Sequence, residues 1–357
     1  MKNKYKYLEI LMFLPPIILL VSVNLIVDIS QYFHPEISEK IADSILKGRA
    51  IRVIGNNGNE RKIKQILIEK MKKEIDTIAV GPSLVMYIGS EAVKSKSFLN
   101  LGVSGADHYD IMATFGLLKH NKIKYKKAIL CIDFPLFSNT IYVNNNKRHN
   151  NLMPFTNYMI GFLNGINKDI ELQKDYYLII KDAPIFSLSY FKDCLKSLIK
   201  QKSIKKLEEV TSETKEQYYT SEASIFPPIE SNNATEEEVI KAVKRIKNNI
   251  SQFHDIFNGC IDRECQKQFI RLIDYLQKQN IEIIFWYHPF PPALWDNTNW
   301  NKYPAVKELD IWSRKLAKEK NITTIGSYNP HELGLVNTDF MDARHLKRSA
   351  ITYHFKF

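Results

Sequence analysis

The sequence predicts an α/β protein built on a doubly wound, flavodoxin-like parallel sheet. Short apolar runs recur along the chain, and stretches with helical periodicity separate them. Continuous apolar runs are typical of parallel strands that are buried on both faces of a sheet. The predicted strands are 77–80, 98–103, 128–133, 281–287 and 322–325, and the predicted helices are 59–74, 106–121, 262–280 and 305–320. This alternation favours helices packed on both faces of one sheet.

The N-terminus predicts a membrane anchor over residues 1–29. Residues 10–27 form an 18-residue run without a charge, and Lys2, Lys4 and Lys6 precede it. At about 1.5 Å per residue the run covers roughly 27 Å, close to the thickness of a bilayer core. The positive-inside rule then places the rest of the chain outside the cell. A cleaved signal peptide and a buried soluble helix are the alternatives, although no small-x-small cleavage site follows the run.

The charge of the chain predicts an anionic partner. Fifty basic and 39 acidic residues give a net charge of +11, and the first 28 residues account for only +1 of it. Outside a membrane, such a charge attracts anionic headgroups or anionic wall polymers. Nucleic acid is not expected, because helix-turn-helix, zinc-finger and basic-aromatic patterns are all missing from the sequence. The alternative is that the high lysine and asparagine content reflects only an AT-rich genome.

No metal or cofactor is expected. The four cysteines, at positions 131, 194, 260 and 265, contain no Cys-x-x-Cys pair and are too few for a disulfide framework. The glycine-containing stretch 55–62 lacks the spacing of a phosphate-binding loop. The chemistry is therefore expected to come from the side chains of the protein itself.

The chain divides into three predicted parts. Residues 30–74 follow the anchor as a juxtamembrane helical segment, and residues 75–357 form the α/β domain. About 147 residues separate Asp133 from Ile281, far more than one crossover needs, so we predict a helical insertion at about 139–260. Thr235 and Glu238 form a capping box that begins one of its helices. The insertion is expected to be a lid over the site, a substrate-binding face or a structural helical hairpin.

Two polar segments follow predicted strands, at the sheet edge where ligands bind in open α/β folds. Ser83 follows the Gly81-Pro82 turn at the start of a helix, where a serine is either a nucleophile or only the N-cap. Gly102 follows the second strand, and its amide is a candidate oxyanion donor or part of an ordinary βα turn.

A third segment, near the C-terminus, contains an acid and a base. Asp342 and His345 are separated by two residues, a spacing that lets the carboxylate bind one imidazole nitrogen and leaves the other free. With a serine opposite, this arrangement supplies the orienting group and the base of a nucleophilic triad. The alternative is an Asp and a His that lie unconnected on a surface loop.

Together these motifs resemble the SGNH (GDSL-like) hydrolase superfamily, over roughly residues 75–350 with the insertion unmatched. The resemblance implies that Ser83 is the nucleophile and that Asp342 and His345 complete the triad. It also implies that the amides of Ser83 and Gly102 bind the oxyanion. Two positions depart from the family pattern: Pro82 stands where Asp is usual, and Asp133 stands where an oxyanion Asn is usual.

Asn139 is the candidate stand-in for that asparagine. Further along the chain, His288 follows the strand at 281–287, while Arg344 and Arg348 flank His345. These three residues are candidate substrate-binding groups. A loop histidine with satisfied hydrogen bonds is the alternative for His288.

The anchor and the external basic domain resemble the membrane-attached branch of that superfamily. That branch includes the D-alanyl transfer protein of teichoic acid modification and the alginate O-acetylation proteins. The resemblance implies an extracellular serine acyltransferase or esterase that acts on an anionic cell-surface polymer or its acyl-donor carrier. A membrane-bound O-acyltransferase is an expected partner. The alternatives are a non-catalytic scaffold of such a polymer-modification complex and an unrelated anchored α/β protein.

Overall fold

A computed structural model gives the fold of the chain. The structure describes residues 2–28, 36–54, 59–138, 152–166, 184–199, 206–211, 214–248, 260–296 and 304–357. The strands in these ranges are β1 (Ile51–Ile54), β2 (Ile75–Val80), β3 (Phe98–Asn100), β4 (Tyr125–Cys131), β5 (Lys206–Glu209), β6 (Tyr218–Tyr219), β7 (Ile225–Phe226), β8 (Glu282–Tyr287) and β9 (Thr323–Gly326). They belong to two separate sheets.

The larger sheet has five parallel strands in the order β3-β2-β4-β8-β9. All five strands that the apolar runs predict are confirmed, with ends shifted by a few residues. In this order β3 lies on one side of β2 and all later strands lie on the other, which is compatible with a doubly wound fold. The chain therefore reverses its direction of winding at β2, and the carboxyl ends of β2 and β4 flank the point of reversal.

Side chains that alternate along each strand enter two cores, one on each face of the sheet. Ile78 and Val80 belong to the larger core, whereas Ala79 and Ile129 belong to the smaller one, which also holds the fully buried Trp286. Alternation of this kind follows from the two-residue repeat of a strand. A fully buried aliphatic or aromatic side chain contributes roughly 1.5–3 kcal/mol, so both faces stabilise the sheet.

Helices cover both faces and extend beyond the sheet. They are α1 (Lys2–Val27), α2 (Glu36–Leu46), α3 (Glu60–Lys70), α4 (Ser83–Met86), α5 (His108–His120), α6 (Met153–Leu163), α7 (Leu188–Ile199), α8 (Ile229–Asn232), α9 (Glu236–Asn248), α10 (Arg263–Lys278), α11 (Pro292–Trp295), α12 (Pro304–Glu319) and α13 (Arg348–His354). The four predicted helices are confirmed as α3, α5, α10 and α12. The capping box of α9 is also confirmed, because the Glu238 amide donates to Thr235 Oγ1 and the Thr235 amide donates to Glu238.

A second, antiparallel sheet was not predicted. Its order is β5-β1-β6-β7, so β1 of the juxtamembrane segment lies between strands of the predicted insertion. Its strands are only two to four residues long, and runs this short give little periodicity to detect. The segments 30–74 and 139–260 therefore contain strands as well as the helices expected of them.

The N-terminal helix α1 continues through the Pro15-Pro16 pair, and its side chains are described from Leu14 onward. Counting only residues that the structure describes, we find no helix both long enough and apolar enough to cross a membrane. The anchor at 1–29 therefore stays a prediction from the sequence.

Candidate active site

Ser83 begins α4, three residues after β2 ends at the carboxyl edge of the parallel sheet. Gly81 makes the turn possible: its φ is +156°, and a Cβ there would lie 2.8 Å from the Cys131 Cβ and 2.6 Å from Val85 Cγ2. The N-cap of α4 is Pro82 rather than Ser83. The interpretation of Ser83 as only a cap is therefore wrong, and its hydroxyl is available for another partner.

That partner is His345. Ser83 Oγ lies 2.9 Å from Nε2 of His345, and Nδ1 of the same ring lies 2.8 Å from Asp342 Oδ2. The expectation that these three side chains converge at the sheet edge is confirmed. A hydroxyl, an imidazole and a carboxylate in this sequence of contacts can transfer a proton away from the hydroxyl oxygen.

The backbone around Asp342 holds the carboxylate beneath the ring. Asp342 Oδ1 accepts hydrogen bonds from the amides of Arg344 and His345, at 2.7 and 2.8 Å. The loop is closed by a bridge between Phe340 and Leu346. Because both the turn and the ring bind this one carboxylate, the two-residue spacing fixes the orientation of the imidazole.

The ionisation of Asp342 suits this role. Burial alone would raise the pKa of the carboxyl, but the hydrogen bond and charge of the His345 ring and the two amides lower it to about 2. The lowered pKa means that the contacts stabilise the fold above the ordinary pKa of an aspartate. This contribution is lost as the pH falls towards 2. Asp342 therefore remains an anion across the range in which enzymes normally work.

Tyr87 forms one wall of the site and was not singled out from the sequence. It follows Ser83 by four residues and so lies one helical turn on, with its ring edge-on to His345 at a centroid distance of 5.5 Å. Burial raises the pKa of its hydroxyl to about 12, with a smaller contribution from the charge of Asp342. The tyrosine is therefore a neutral group that packs against the His345 ring.

A buried asparagine, Asn100, connects the first two motifs. Its side-chain amide donates to the carbonyls of Val85 and Ile88, at 2.7 and 3.0 Å, and its Oδ1 accepts the Gly102 amide at 3.0 Å. The Gly102 amide expected to bind an oxyanion is thus already occupied in this structure. The sequence signal for Asn100 was available, because one polar residue interrupts the apolar run at 98–103.

Beneath Asn100 lies a buried lysine. Lys64 Nζ donates to the carbonyls of Asn100 and Ala223, at 2.6 and 2.5 Å, and the side chain is shielded from water. Burial lowers its pKa to about 7, although the charges of Glu60 and Glu222 oppose that shift. The lysine therefore joins the loop that holds Gly102 to the turn between β6 and β7.

The lowered pKa of Lys64 predicts a pH-dependent stability. Between pH 7 and about 10 the unfolded lysine still binds a proton that the folded lysine has released, so raising the pH favours folding by up to about 1.4 kcal/mol per pH unit. In detergent, urea unfolding at pH 7.0 and 8.5 should show the parent gaining stability relative to Lys64→Met. The same comparison with Lys70→Met, an exposed lysine, should show no such gain. A difference between parent and Lys64→Met that does not change with pH would contradict the assignment.

Asp133 and Arg344 form an ion pair beside the triad. Nη2 of Arg344 lies 2.9 and 3.1 Å from the two carboxylate oxygens of Asp133, which follows β4. The guanidinium also lies 5.8 Å from the centroid of the Phe290 ring. Arg344 is adjacent to His345, so this pair holds the third motif against the end of a central strand.

This pairing changes the effect expected of a charge reversal. From the sequence, charge reversal at Arg344 and Arg348 is expected to weaken activity on an anionic polymer and to spare the hydrolysis of a small neutral ester. In the structure the new carboxylate of Arg344→Glu would face Asp133 and displace the loop that holds His345. We therefore expect kcat/KM to fall about 10²-fold on p-nitrophenyl acetate and on polymer alike, the scale for a catalytic group moved by about 1 Å. Lys356→Glu, with the same charge change at an exposed site, is the control. A loss of activity confined to the anionic polymer would support the interpretation of Arg344 as a substrate-binding residue.

The assignment of Arg348 as a substrate-binding residue is wrong. Its guanidinium is buried and paired with Glu91 and Glu222, the latter at 3.2 Å, and it also lies 3.5 Å from Ser224 Oγ. Those contacts join α13 to the turn between β6 and β7. Arg348 therefore holds the second sheet against the α/β domain.

His288 lies beneath the site rather than on its surface. Only 5% of the residue is exposed, and Nε2 has no hydrogen-bond partner among the described residues. Burial, followed by the charges of Arg344 and His345, lowers its pKa well below the ordinary value for histidine. A neutral imidazole shielded in this way does not reach a substrate in this structure, so the substrate-binding assignment is not supported. It is equally not a histidine with all its hydrogen bonds satisfied.

Two remaining expectations concern groups outside the triad. Asn139, the candidate oxyanion residue, lies outside the described residues. Within the described ranges, no group of three or more His, Cys, Asp or Glu side chains could hold a metal ion. The chemistry that the described site offers is that of Ser83, His345 and Asp342.

Fold and site together define an α/β protein with a Ser-His-Asp arrangement at the carboxyl edge of a parallel sheet. No protein-family model matches the chain, and no curated protein matches its sequence.

Proposed function

We propose that this protein is a membrane-anchored serine acyltransferase or esterase with an SGNH-type active site. The observation that carries the proposal is the pair of contacts from Ser83 Oγ to His345 Nε2 at 2.9 Å and from His345 Nδ1 to Asp342 at 2.8 Å. A serine hydroxyl within hydrogen-bond reach of an imidazole that a third group orients is the signature of an activated nucleophile. The flavodoxin-like strand order supports the same family.

The reaction is acyl transfer in two steps. His345 Nε2 takes the proton of Ser83 as Oγ bonds to the carbonyl carbon of an ester or thioester, giving a tetrahedral oxyanion. Collapse of this intermediate breaks the bond to the leaving group, which receives the proton from His345. Water or a polymer hydroxyl then attacks the acyl-serine, while His345 takes its proton and returns it to Ser83 Oγ. With water the protein acts as an esterase, and with a polymer hydroxyl it acts as a transferase.

Stabilisation of the oxyanion comes first from the Ser83 amide. This amide lies in the first turn of α4, where backbone amides have no acceptor within the helix. The Gly102 amide can join it only by exchanging its bond to Asn100. One such donor is typically worth on the order of 3 kcal/mol in the transition state.

The location follows from the sequence features. Lys2, Lys4 and Lys6 on one side of the apolar run place the α/β domain outside the cell. The external charge of +10 makes an anionic surface polymer, or an acyl carrier bound to it, the proposed substrate. Protease added to intact spheroplasts should digest the Ser83 domain, and full protection would refute both the topology and this substrate.

A serine-reactive fluorophosphonate probe tests the chemistry. The full chain in detergent should be labelled on Ser83, and Ser83→Ala and His345→Ala should both abolish the label. Ser90→Ala, which changes an exposed serine seven residues away, is the matched control and should be labelled like the parent. A folded parent that takes no label would favour the non-catalytic scaffold instead.

A further inference from the structure

In the described part of helix α1 the buried residues are polar, and the exposed residues are apolar. From Leu14 to Asp28 its buried residues are the polar Asn24 and Asp28, at 0% and 3% exposure, whereas apolar side chains face outward. The large exposed ones are Leu14, Ile17, Ile18, Leu19 and Ile26, at 42–79%. In water this pattern would be unfavourable by about 25 cal/mol for each Å² of apolar surface left exposed. It is favourable only where the surroundings are themselves apolar.

The polar residues of α1 face the segment 184–199, which consists of a short 3-10 turn followed by α7. Asn24 Nδ2 donates to the carbonyls of Ile185 and Ser187, at 2.9 and 3.2 Å. Asp28 Oδ1 accepts the Tyr190 hydroxyl at 2.8 Å. In a low-dielectric environment such groups need partners within the protein. These bonds therefore fix the segment against the outer end of α1.

The same segment presents apolar side chains on its free surface. Phe186, Leu188, Leu198 and Ile199 are exposed by 57%, 66%, 43% and 80%. Between them Lys192 and Lys196 are exposed, as expected of a helix that lies at the level of lipid headgroups. The exposed apolar surface thus continues from α1 onto a segment whose Ile185 is 161 residues from Asn24 in sequence.

We infer that the segment 184–199 is a second membrane-contacting element, which lies in the outer interface of the bilayer beside α1. This inference rests on the membrane attachment in the proposed function and not on its chemistry. Asn24 is three residues from the end of α1, so the contact with Ile185 lies about 5 Å below the end of the apolar run. At that depth α7 contacts acyl chains with its apolar residues and headgroups with its lysines. Residues 184–199 of the insertion then contact the bilayer and do not form a lid over Ser83.

Depth-dependent quenching tests the inference. The full chain carries Cys260→Ser, which removes the exposed cysteine; Cys131, Cys194 and Cys265 are buried. Single cysteines at positions 188 and 199 are labelled with an environment-sensitive fluorophore, and the protein is reconstituted in phosphatidylcholine–phosphatidylglycerol vesicles that contain a lipid with a nitroxide at acyl carbon 5 or, for the deeper position 18, at acyl carbon 12. Position 18 reports on α1, and position 353 on α13, where Tyr353 is 80% exposed, is the matched control.

We expect the nitroxide lipid to remove most of the fluorescence at 188 and 199 and to leave position 353 unchanged. Quenching at 18 without quenching at 188 and 199 overturns the inference and leaves the anchor intact. Blue-shifted but unquenched emission at 188 and 199 also overturns it, because a protein partner or a second copy then covers the surface. An unquenched position 18 refutes the membrane attachment itself, whereas the acyl-transfer chemistry is decided separately by the fluorophosphonate label.

Discussion

Replacing Asp342 by Asn is expected to lower kcat for a small neutral ester by about 10⁴-fold, the loss typical when the imidazole of a Ser-His-Asp triad loses its orienting carboxylate. The substitution preserves size and leaves Oδ1 able to accept the amides of Arg344 and His345. The charge opposite Nδ1 is what disappears, so the ring is no longer held in the tautomer that accepts a proton from Ser83. Initial rates on p-nitrophenyl acetate measure the effect.

Combined substitutions sharpen this prediction. If the three side chains act as one unit, adding His345→Ala to Ser83→Ala should lower the rate no further than Ser83→Ala alone. Glu332→Gln, an exposed carboxylate neutralised on the same C-terminal stretch, should retain the parent rate. Losses that multiply in the double variant would show that Ser83 and His345 contribute independently, contrary to the proposed mechanism.

The second large effect concerns stability. Arg348→Met should reduce the free energy of unfolding by about 3 kcal/mol, because it leaves the largely buried Glu222 and the more exposed Glu91 without their cation. At present the Arg348 charge offsets burial and lowers the pKa of Glu222. Urea unfolding in detergent, monitored by tryptophan fluorescence, measures the loss.

Adding Glu222→Gln to Arg348→Met should restore part of the stability, since it removes one of the two unpaired charges. Lys70→Met breaks an exposed pair with Asp43 and should cost less than about 1 kcal/mol, as surface ion pairs usually do. A cost for Arg348→Met no greater than that of Lys70→Met would show that the network does not stabilise the second sheet.

The parallel sheet was accessible from the sequence for a physical reason. Its strands are buried on both faces, so each appears as an apolar run, and amphipathic helices such as α10 and α12 separate them. The second sheet gave no comparable signal, because β6 and β7 are two residues each and β1 pairs with β5 and β6, which are distant in sequence. No local pattern records that Ile51 will lie opposite both Glu209 and Tyr219.

The site also contains residues that the sequence predicts and contacts that it does not. Ser83, Asp342 and His345 could be predicted because each lies in a short motif whose chemistry is local. The partners of Arg344 and Arg348 could not, since Asp133 and Glu91 are 211 and 257 residues away in sequence. From the sequence, Arg344 and Arg348 near His345 are interpreted as substrate contacts. In the structure each has a carboxylate partner. Net charge and proximity alone do not distinguish a binding cation from a structural one.

Strand β1 limits where the protein can be cut without damage. It pairs with β5 on one side and with β6 on the other, so it is an interior strand of a sheet whose other members come from residues 206–226. A chain cut before Ile51 would keep these pairings. Cleavage after Ile54 would instead leave two rows of unpaired backbone groups, which invite aggregation. A shortened chain suited to crystallisation must therefore retain β1, even though the parallel sheet begins only at Ile75.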